Sequence, residues 1–304
     1  MNILITGGTG LVGSRLTEVL VEERNHVYIL SRSSHTDSHP FIHYIKYDPD
    51  DIDDLNWADE LPVNIDAVYN FAGASLQKMW TDSHKEEIMD SRINTTRLLH
   101  NWALNSEIKP GVLINASAVG YYPTSEHVSF TEEDVFQPSN YLASVVNAWE
   151  KEALKFQELG TRVVLSRFGL ILDKDDGVLP LMALPFKFGA GGNIGTGQQF
   201  YSWIHLEDLI NSLLYVLAVD EFEGPVNMTS PVPLRQEQFA KYLGMALAKP
   251  TIVKTPGFLF KTVLGDQSML IIKGQKVIPQ KLLANEFKFN YPTLDVALDN
   301  IYDE

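Results

Sequence analysis

The sequence predicts an α/β fold, a doubly wound parallel sheet with a smaller, mixed C-terminal domain. Two observations predict it. Short apolar runs rich in β-branched residues alternate with segments of helical period, and this alternation stops near residue 170. Parallel strands need long crossover connections, which the helical segments supply. The predicted strands are Ile3 to Thr6, His26 to Leu30, Ile42 to Tyr47, Ala67 to Phe71, Val112 to Ala116 and Val163 to Phe168.

Three helices are predicted between these strands. The first has apolar residues at helical spacing, and they are Leu11, Val12, Leu16, Val19 and Leu20. The others span about Asp82 to Asn105 and about Ser139 to Leu159. A Gly- and Pro-rich stretch, Gly177 to Gly197, is predicted to be a mobile or ligand-facing loop. Strands and helices resume from Trp203 to Val219.

The composition excludes several classes of function. A net charge of -15 disfavours binding to nucleic acid and to anionic lipid. The chain has no cysteine, which excludes disulfides and thiolate chemistry, and its eight histidines lack metal-ligand spacing, so no metal site is predicted. No apolar run reaches the roughly 20 residues that span a bilayer, and no signal peptide is evident. We therefore expect a cytoplasmic protein that binds neither membranes nor nucleic acid.

The local charge is reversed in the C-terminal part of the chain. Residues 241–290 hold eight lysines against Asp266 and Glu286, a local charge of +6. These lysines are either scattered over solvated faces or help to hold an anionic substrate, and the sequence leaves both interpretations open.

A glycine-rich segment separates the first predicted strand from the first helix. Gly7 permits a tight turn, Gly10 lets the backbone approach a pyrophosphate, and Gly13 lets the helix pack closely on the strand. Free N–H groups at the helix N-terminus favour the diphosphate. The sequence therefore predicts a dinucleotide site, to which the residues between the glycines also contribute: Thr9, Leu11 and Val12.

The end of the second strand indicates which dinucleotide binds. An NAD-selective site usually has an acidic residue here, whereas this chain has Arg32 and Ser33 after Ser31. A guanidinium beside small hydroxyls suits a 2′-phosphate. We therefore expect NADP(H), with an ordinary surface charge as the alternative interpretation of Arg32.

These motifs resemble the short-chain dehydrogenase/reductase superfamily, in its extended branch with a Rossmann-type fold. The resembling segments are Gly7 to Gly13, Asn70-Phe71-Ala72-Gly73, Asn115 to Tyr122 and Trp203 to Leu209. The resemblance adds Phe71, Ala72 and Gly73 to the expected cofactor-binding residues. It also implies an NADP-binding domain of residues 1–170 with about 203–222, and a substrate-binding domain of 171–202 and 223–304.

A narrower resemblance is to predicted nucleoside-diphosphate-sugar epimerases that carry a distinctive C-terminal domain. It rests on Lys78 to Thr81, Asp90-Ser91-Arg92, Ala116 to Tyr122, Ser202 to His205 and Gly274 to Pro279. It implies an epimerase or oxidoreductase acting on a small oxygenated substrate, with a sugar nucleotide as the family-level candidate. It also implies a homodimer, because related enzymes often pair through helices.

The resemblance implies three catalytic residues and exposes one departure. Ser117 matches the serine that orients the reacting oxygen, and Tyr141 stands where the proton-exchanging tyrosine is expected. Four residues later the family's lysine is replaced by Val145, which cannot lower the tyrosine pKa. Arg92 is a candidate for the missing positive charge, with a helix-surface ion pair as the alternative.

Val145 keeps other functions open. One alternative is an NADPH-binding regulatory protein with weak or no catalysis, in which Ser117 and Tyr141 are structural residues. Another is a net carbonyl reductase. We also expect His205 to be a packed structural residue rather than a proton-transfer group.

Overall fold

The computed structural model describes residues 1–36 and 39–303. In those residues the strands are β1 (Asn2–Thr6), β2 (His26–Ser31), β3 (Ile42–Lys46), β4 (Ala67–Asn70), β5 (Val112–Ala118), β6 (Ser129–Phe130), β7 (Arg162–Phe168), β8 (Leu170–Leu172), β9 (Gly192–Ile194), β10 (Phe200–Tyr201), β11 (Trp203–His205), β12 (Gly224–Met228), β13 (Leu234–Arg235), β14 (Val253–Thr255) and β15 (Lys276–Val277). The α-helices are α1 (Leu11–Glu22), α2 (Asp82–Asn105), α3 (Tyr141–Leu154), α4 (Leu179–Lys187), α5 (Leu206–Ala218), α6 (Gln236–Ala246), α7 (Gly257–Leu264), α8 (Met269–Ile272), α9 (Gln280–Ala284) and α10 (Leu294–Asp303).

Among the described residues, seven strands form one parallel sheet in the order β12-β7-β5-β4-β1-β2-β3. β1 pairs with β2 on one side and with β4 on the other, and both pairs are parallel. The chain therefore reverses its direction of travel across the sheet between β1 and β4. Ligands of doubly wound sheets bind at the carboxyl ends of the strands at such a reversal. The predicted α/β fold with a doubly wound sheet is confirmed.

The sheet is covered on both faces, which explains why its strands are continuous apolar runs. Ile3, Leu4 and Ile5 of β1 are fully buried. α1 buries Leu16 and Leu20 at helical spacing. The six predicted strands and three predicted helices all occur, with ends that differ by a few residues.

The chain forms two compact units. The first comprises residues 1–117, 144–166 and 213–225, and the second comprises 118–143, 167–212 and 226–304. As far as residue 303, the second unit contains four small two-stranded sheets, among them the antiparallel pair β10–β13 and the parallel pair β9–β14. Its apolar core includes Trp203, Phe239 and Leu298. The division into cofactor and substrate domains is a functional statement and stays a prediction.

The Gly- and Pro-rich stretch from Gly177 to Gly197 is more ordered than the sequence predicts. It contains α4 and the short strand β9. Leu179, Ala183 and Phe186 form one buried face of α4. Pro180 lies in the first turn, where its missing N–H costs no hydrogen bond, so the helix forms despite it.

Most lysines of the local basic region point to solvent. Six of the eight are exposed, and these are Lys241, Lys249, Lys254, Lys261, Lys273 and Lys288. This distribution agrees with lysines on solvated faces.

None of the helices in residues 1–36 and 39–303 has the length and apolar character needed to span a membrane.

Candidate functional site

The glycine-rich loop between β1 and α1 is built on two glycines that no other residue could replace without movement. Gly7 has a φ of +69°, and a Cβ there would lie 2.8 Å from the backbone carbonyl of Phe71. A Cβ on Gly13 would collide with the Gly7 oxygen and lie 2.7 Å from the Cα of Gly8. Backbone atoms form both obstacles, so neither can be relieved by a side-chain rotation.

Gly10 differs from its two neighbours in the motif. The nearest atom to a Cβ on Gly10 would be the Gly7 oxygen at 3.5 Å, an ordinary contact. The protein itself therefore has room for a side chain at this position. Gly10 is exposed and is the N-cap of α1. This room is compatible with close approach of a ligand.

The N-terminus of α1 is suited to an anion. Thr9 and Gly10 are exposed, and Leu11 and Val12 begin the first turn of the helix. Because Gly10 has no side chain to cap the first N–H groups, these donors and the positive end of the helix dipole are available to a bound phosphate.

Arg32 and Ser33 follow β2 and are exposed, and Arg32 lies at a cavity of about 410 Å³. Arg32 lines this cavity together with a second cation, Lys46, which the sequence motifs do not indicate. The register of the sheet explains the pairing, because Ser31 of β2 lies opposite Lys46 of β3. The cavity also has acidic walls, and its remaining lining residues are Tyr47, Asp48, Pro49, Asp50, Glu87, Asp90 and Ser91.

A buried polar network joins the carboxyl ends of β1, β4 and β5. The Thr6 hydroxyl donates to Oδ1 of Asn70 at 2.6 Å, and Nδ2 of Asn70 donates to Oδ1 of Asn115 at 2.6 Å. Nδ2 of Asn70 also donates to the Thr96 hydroxyl of α2 at 2.9 Å. The N–H of Ala72 donates to the Thr6 hydroxyl at 3.2 Å. These bonds hold the segment Phe71 to Gly73 beside the glycine loop.

Arg92 lies against this segment. A Cβ on Gly73 would fall 2.7 Å from Cζ of Arg92. Nη1 of Arg92 donates to the carbonyl oxygens of Ala74 at 3.2 Å and Ile88 at 2.9 Å, and its Cζ lies 5.2 Å from the ring centre of Trp149. The structure thus places a guanidinium at the loop that follows β4. Its predicted catalytic role stays a prediction.

Ser117 near the end of β5 is hydrogen-bonded to a carboxylate that the sequence motifs do not identify. Its hydroxyl donates to Oε1 of Glu150 on α3 at 2.5 Å, and the two residues are only 3% and 6% exposed. One signal is present in the sequence. Glu150 follows the buried Val146 by four residues, so it occupies the apolar face of the helix, where a carboxylate requires a polar partner.

Tyr141 is the first residue of α3 and is partly exposed, whereas Val145 one turn later is buried. Nine residues correspond to about two and a half turns of helix, so Tyr141 and Glu150 leave α3 on opposite sides. The catalytic role of Tyr141 stays a prediction.

The second unit holds a separate buried polar cluster. Nη1 of Arg167 donates to the Tyr122 hydroxyl at 2.9 Å, and this hydroxyl donates to Oδ1 of Asn227 at 2.8 Å. Burial raises the pKa of Tyr122 to about 12. The Glu132 carboxylate accepts N–H groups of Asn227 at 3.0 Å and Gln280 at 3.1 Å. Because these partners come from distant segments, the cluster ties the second unit together.

His205 packs as a structural residue would. It is buried, stacks on Tyr291 with 3.9 Å between ring centres, and its Nδ1 accepts the N–H of Glu207 at 3.1 Å. Across residues 1–36 and 39–303, no group of three or more His, Asp or Glu residues is arranged to hold a metal ion.

Comparison with known proteins matches the chain to two family descriptions. The NAD dependent epimerase/dehydratase family matches residues 3–228, and a domain of unknown function, DUF1731, matches residues 255–301. Among relatives, epimerase family protein SERP0438 of Staphylococcus epidermidis is 45% identical over 298 residues, which are 98% of each chain. Epimerase family protein SA0724 of Staphylococcus aureus is 40% identical over 301 residues, 99% of each chain.

Solved structures show the same similarity. The human epimerase family protein SDR39U1 (isoform 2), solved with NADPH, is 29% identical with a TM-score of 0.87, and both chains are covered in full. A nucleoside-diphosphate sugar epimerase from Corynebacterium glutamicum is 27% identical with a TM-score of 0.79, over 99% of this chain and 58% of that one.

Proposed function

The chain belongs to the NAD-dependent epimerase/dehydratase family, and on that premise we propose that it is an NADP(H)-dependent epimerase or oxidoreductase acting on a small oxygenated substrate. The resemblance inferred from the sequence is confirmed at the level of the family. The observation that carries the proposal is Gly10, an exposed N-cap glycine where the protein has room for a side chain and a bound ligand would leave none.

A bound dinucleotide would be held at the carboxyl edge of the sheet, at the reversal between β1 and β4. The loop from Gly7 to Gly13 and the first N–H groups of α1 would hold its pyrophosphate. Arg32 would hold its adenosine side, and Gly73 and Ser117 would lie on the side of its nicotinamide.

The preference for NADP(H) over NAD(H) is supported by charge. Arg32 and Lys46 are two cations in one cavity, and the exposed Ser33 follows Arg32 in the chain. The human relative solved with NADPH also supports it. Acidic side chains of the same cavity, including Asp48 and Asp50, act against it. Titrating NADPH and NADH against the protein tests this preference, and equal affinities would refute it.

The chemistry of the proposed reaction is the exchange of a hydride and a proton with a substrate alcohol or carbonyl. The nicotinamide supplies or accepts the hydride. Ser117 orients the reacting oxygen, Tyr141 exchanges a proton, and Arg92 contributes positive charge near Gly73. Val145 is only 3% exposed and supplies no charge, so Tyr141 lacks the lysine that assists it in related enzymes.

A sugar nucleotide is the first substrate to test, and an anionic substrate is compatible with the lysines of the second unit. Sugar nucleotides and carbonyl compounds are incubated with the protein and NADPH or NADP⁺, and the products are analysed. Cofactor oxidised in stoichiometric amounts with product identifies a net carbonyl reductase. Cofactor unchanged after turnover identifies an epimerase, in which oxidation and re-reduction balance. The absence of turnover over the full panel counts against an enzyme.

A second candidate function is an NADPH-binding regulator with little catalysis, and the burial of Val145 favours it. A structure with NADP bound discriminates between the two. Polar groups converging on C4 of the nicotinamide support the enzyme, and only apolar side chains there support the regulator.

We also propose that the protein is a homodimer. Sedimentation of the purified chain tests this, because a single species of the monomer mass would contradict it.

A further inference from the structure

The bond between Ser117 and Glu150 has a defined direction. A serine hydroxyl has one hydrogen, and an ionised carboxylate can only accept. At 2.5 Å between Oγ of Ser117 and Oε1 of Glu150, this hydrogen belongs to the bond. Oγ of Ser117 then has only lone pairs for a ligand. It accepts a hydrogen bond from an alcohol, and it donates to a carbonyl only after Glu150 has gained a proton.

The pair is also buried, so the charge of the Glu150 carboxylate is weakly screened. Both side chains are buried, and a charge acts more strongly where little water screens it. The residue before Glu150 is held in place on both sides. Trp149 donates from Nε1 to the Thr96 hydroxyl at 3.1 Å, and the Arg92 guanidinium lies over its ring. These contacts fix the part of α3 from which the carboxylate projects.

The topology of the sheet relates this carboxylate to one half of the proposed cofactor. β4 and β5 are paired with Asn70 opposite Asn115, and Ser117 follows Asn115 by two residues. Glu150 is therefore hydrogen-bonded to the end of β5. In the sheet, β5 and the strand that precedes Arg32, β2, lie on opposite sides of the reversal between β1 and β4. A dinucleotide whose adenosine end meets Arg32 has its nicotinamide on the side of Glu150.

We infer that Glu150 is the positioning residue that sets the redox preference of this site. Its carboxylate favours the oxidised, positively charged nicotinamide over the neutral reduced form. Through Ser117 it also receives the proton that a substrate alcohol loses. This inference rests on the proposed function, since it needs a bound nicotinamide cofactor. It moves the proton exchange from Tyr141 to Ser117 and Glu150, because Val145 leaves Tyr141 without an assisting lysine.

The step balances as written. The C–H and O–H bonds of a secondary alcohol break, and its C=O bond forms. The hydride passes to NADP⁺, which is reduced to NADPH while the alcohol is oxidised to a ketone. The alcohol proton goes to Oγ of Ser117 as the Ser117 hydrogen goes to Oε1 of Glu150, which becomes a carboxylic acid. In the reverse reaction, the hydride and the proton return to the ketone and restore the alcohol.

The test uses the two cofactors themselves as probes, so it needs no known substrate. NADP⁺ and NADPH are titrated separately into the full-length protein by calorimetry at pH 7, for the wild type and for Glu150→Gln. Removing the charge while keeping the shape weakens the binding of NADP⁺ relative to NADPH by about tenfold, or about 1.4 kcal/mol. This ratio reports the redox potential of the bound couple, which a purely structural glutamate would not move.

Two variants control for structure. Glu152→Gln removes a carboxylate two residues away on α3, one that pairs with Arg97 at 2.9 Å, and leaves the ratio unchanged. Glu150→Asp keeps the charge and retains a ratio close to that of the wild type. If Glu150→Gln does not fold, Glu150→Met provides an uncharged side chain of similar length.

Two results would overturn the inference, and they differ. A ratio within twofold of the wild-type value in the uncharged variant refutes the role of Glu150 while the proposed function stands. Failure of the wild type to bind either cofactor refutes the proposed function and the inference together.

Discussion

Gly73 and Arg92 are in direct contact: a methyl group on Gly73 would lie 2.7 Å from Cζ of the arginine. The obstacle is the end of a flexible side chain, so the guanidinium can move away. We expect Gly73→Ala to cost no more than about 1 kcal/mol of unfolding free energy. The displaced Arg92 should nevertheless weaken NADPH binding several-fold. Chemical denaturation and NADPH titration measure the two effects, and unchanged binding would contradict the placement of Arg92 at the site.

Gly13→Ala and Gly10→Ala should have opposite effects: the first should lower stability, and the second should abolish NADPH binding. A Cβ on Gly13 meets backbone atoms of Gly7 and Gly8, so we expect a loss of about 1–3 kcal/mol in unfolding free energy. A Cβ on Gly10 has room in the protein, and we expect near-normal stability with NADPH binding lost. Thermal unfolding and NADPH titration of both variants check this. Normal NADPH affinity in Gly10→Ala would remove the main support for the dinucleotide site.

Arg32→Ala should weaken the binding of NADPH without changing the binding of NADH. If Arg32 binds a 2′-phosphate, its removal raises the Kd for NADPH by about ten- to a hundredfold, because hydrogen bonds to charged groups contribute about 1.5–3 kcal/mol. The Kd for NADH stays the same. Arg15→Ala, which removes an arginine paired with Glu18 on the surface of α1, is the control. Parallel loss of both cofactors in Arg32→Ala would argue against a phosphate contact.

Ser117→Ala and Tyr141→Phe test the catalytic assignments on a substrate found by screening. We expect Ser117→Ala to lower kcat by about a hundredfold or more with little change in the Kd for NADPH, since a positioned proton-transfer group contributes about 10²–10⁴-fold. Tyr141→Phe should do the same if Tyr141, rather than the Ser117–Glu150 pair, exchanges the proton. Steady-state kinetics and cofactor titration measure both quantities. Wild-type kcat in either variant would exclude that residue from the reaction.

Glu132 should make stability depend on pH. Burial raises the pKa of this carboxyl above its ordinary 4.5, against the opposing effect of hydrogen bonds from backbone N–H groups. The native state then binds more protons than the unfolded chain between 4.5 and the raised pKa, so its contribution to stability is present below that interval and is lost as pH rises through it.

Glu132→Gln removes this titration. The unfolding free energy of the wild type minus that of the variant should therefore decrease as pH rises from 4.5. Denaturant unfolding at several pH values measures it. Glu133→Gln is the control, because Glu133 is the exposed neighbour of Glu132 in the same turn. A difference that is constant or grows with pH would contradict the assignment.

The sequence by itself determined the order of strands and helices along the chain and the dinucleotide loop. The helical spacing of apolar residues involves only residues that are close in the chain. The sequence could therefore predict the first and last residues of α2, Asp82 and Asn105. The need for glycine in the loop is also local. The positive φ of Gly7 and the contact of Gly13 with the Gly7 oxygen both arise within one short segment, so the spacing of the motif encodes them.

Only the tertiary structure decided which polar groups meet. Glu150 and Ser117 are 33 residues apart, and Lys46 joins Arg32 only through the register of β2 and β3. The helix α4 also depends on packing. Phe186 is buried in a cluster with Phe239 and Leu298 from later in the chain, and this packing offsets Pro185 in the helix interior. Three-dimensional proximity decides which charged groups pair and which carboxylates find a buried partner. Their hydrogen bonds and Coulombic attraction offset the cost of desolvation, and no local pattern encodes these contacts.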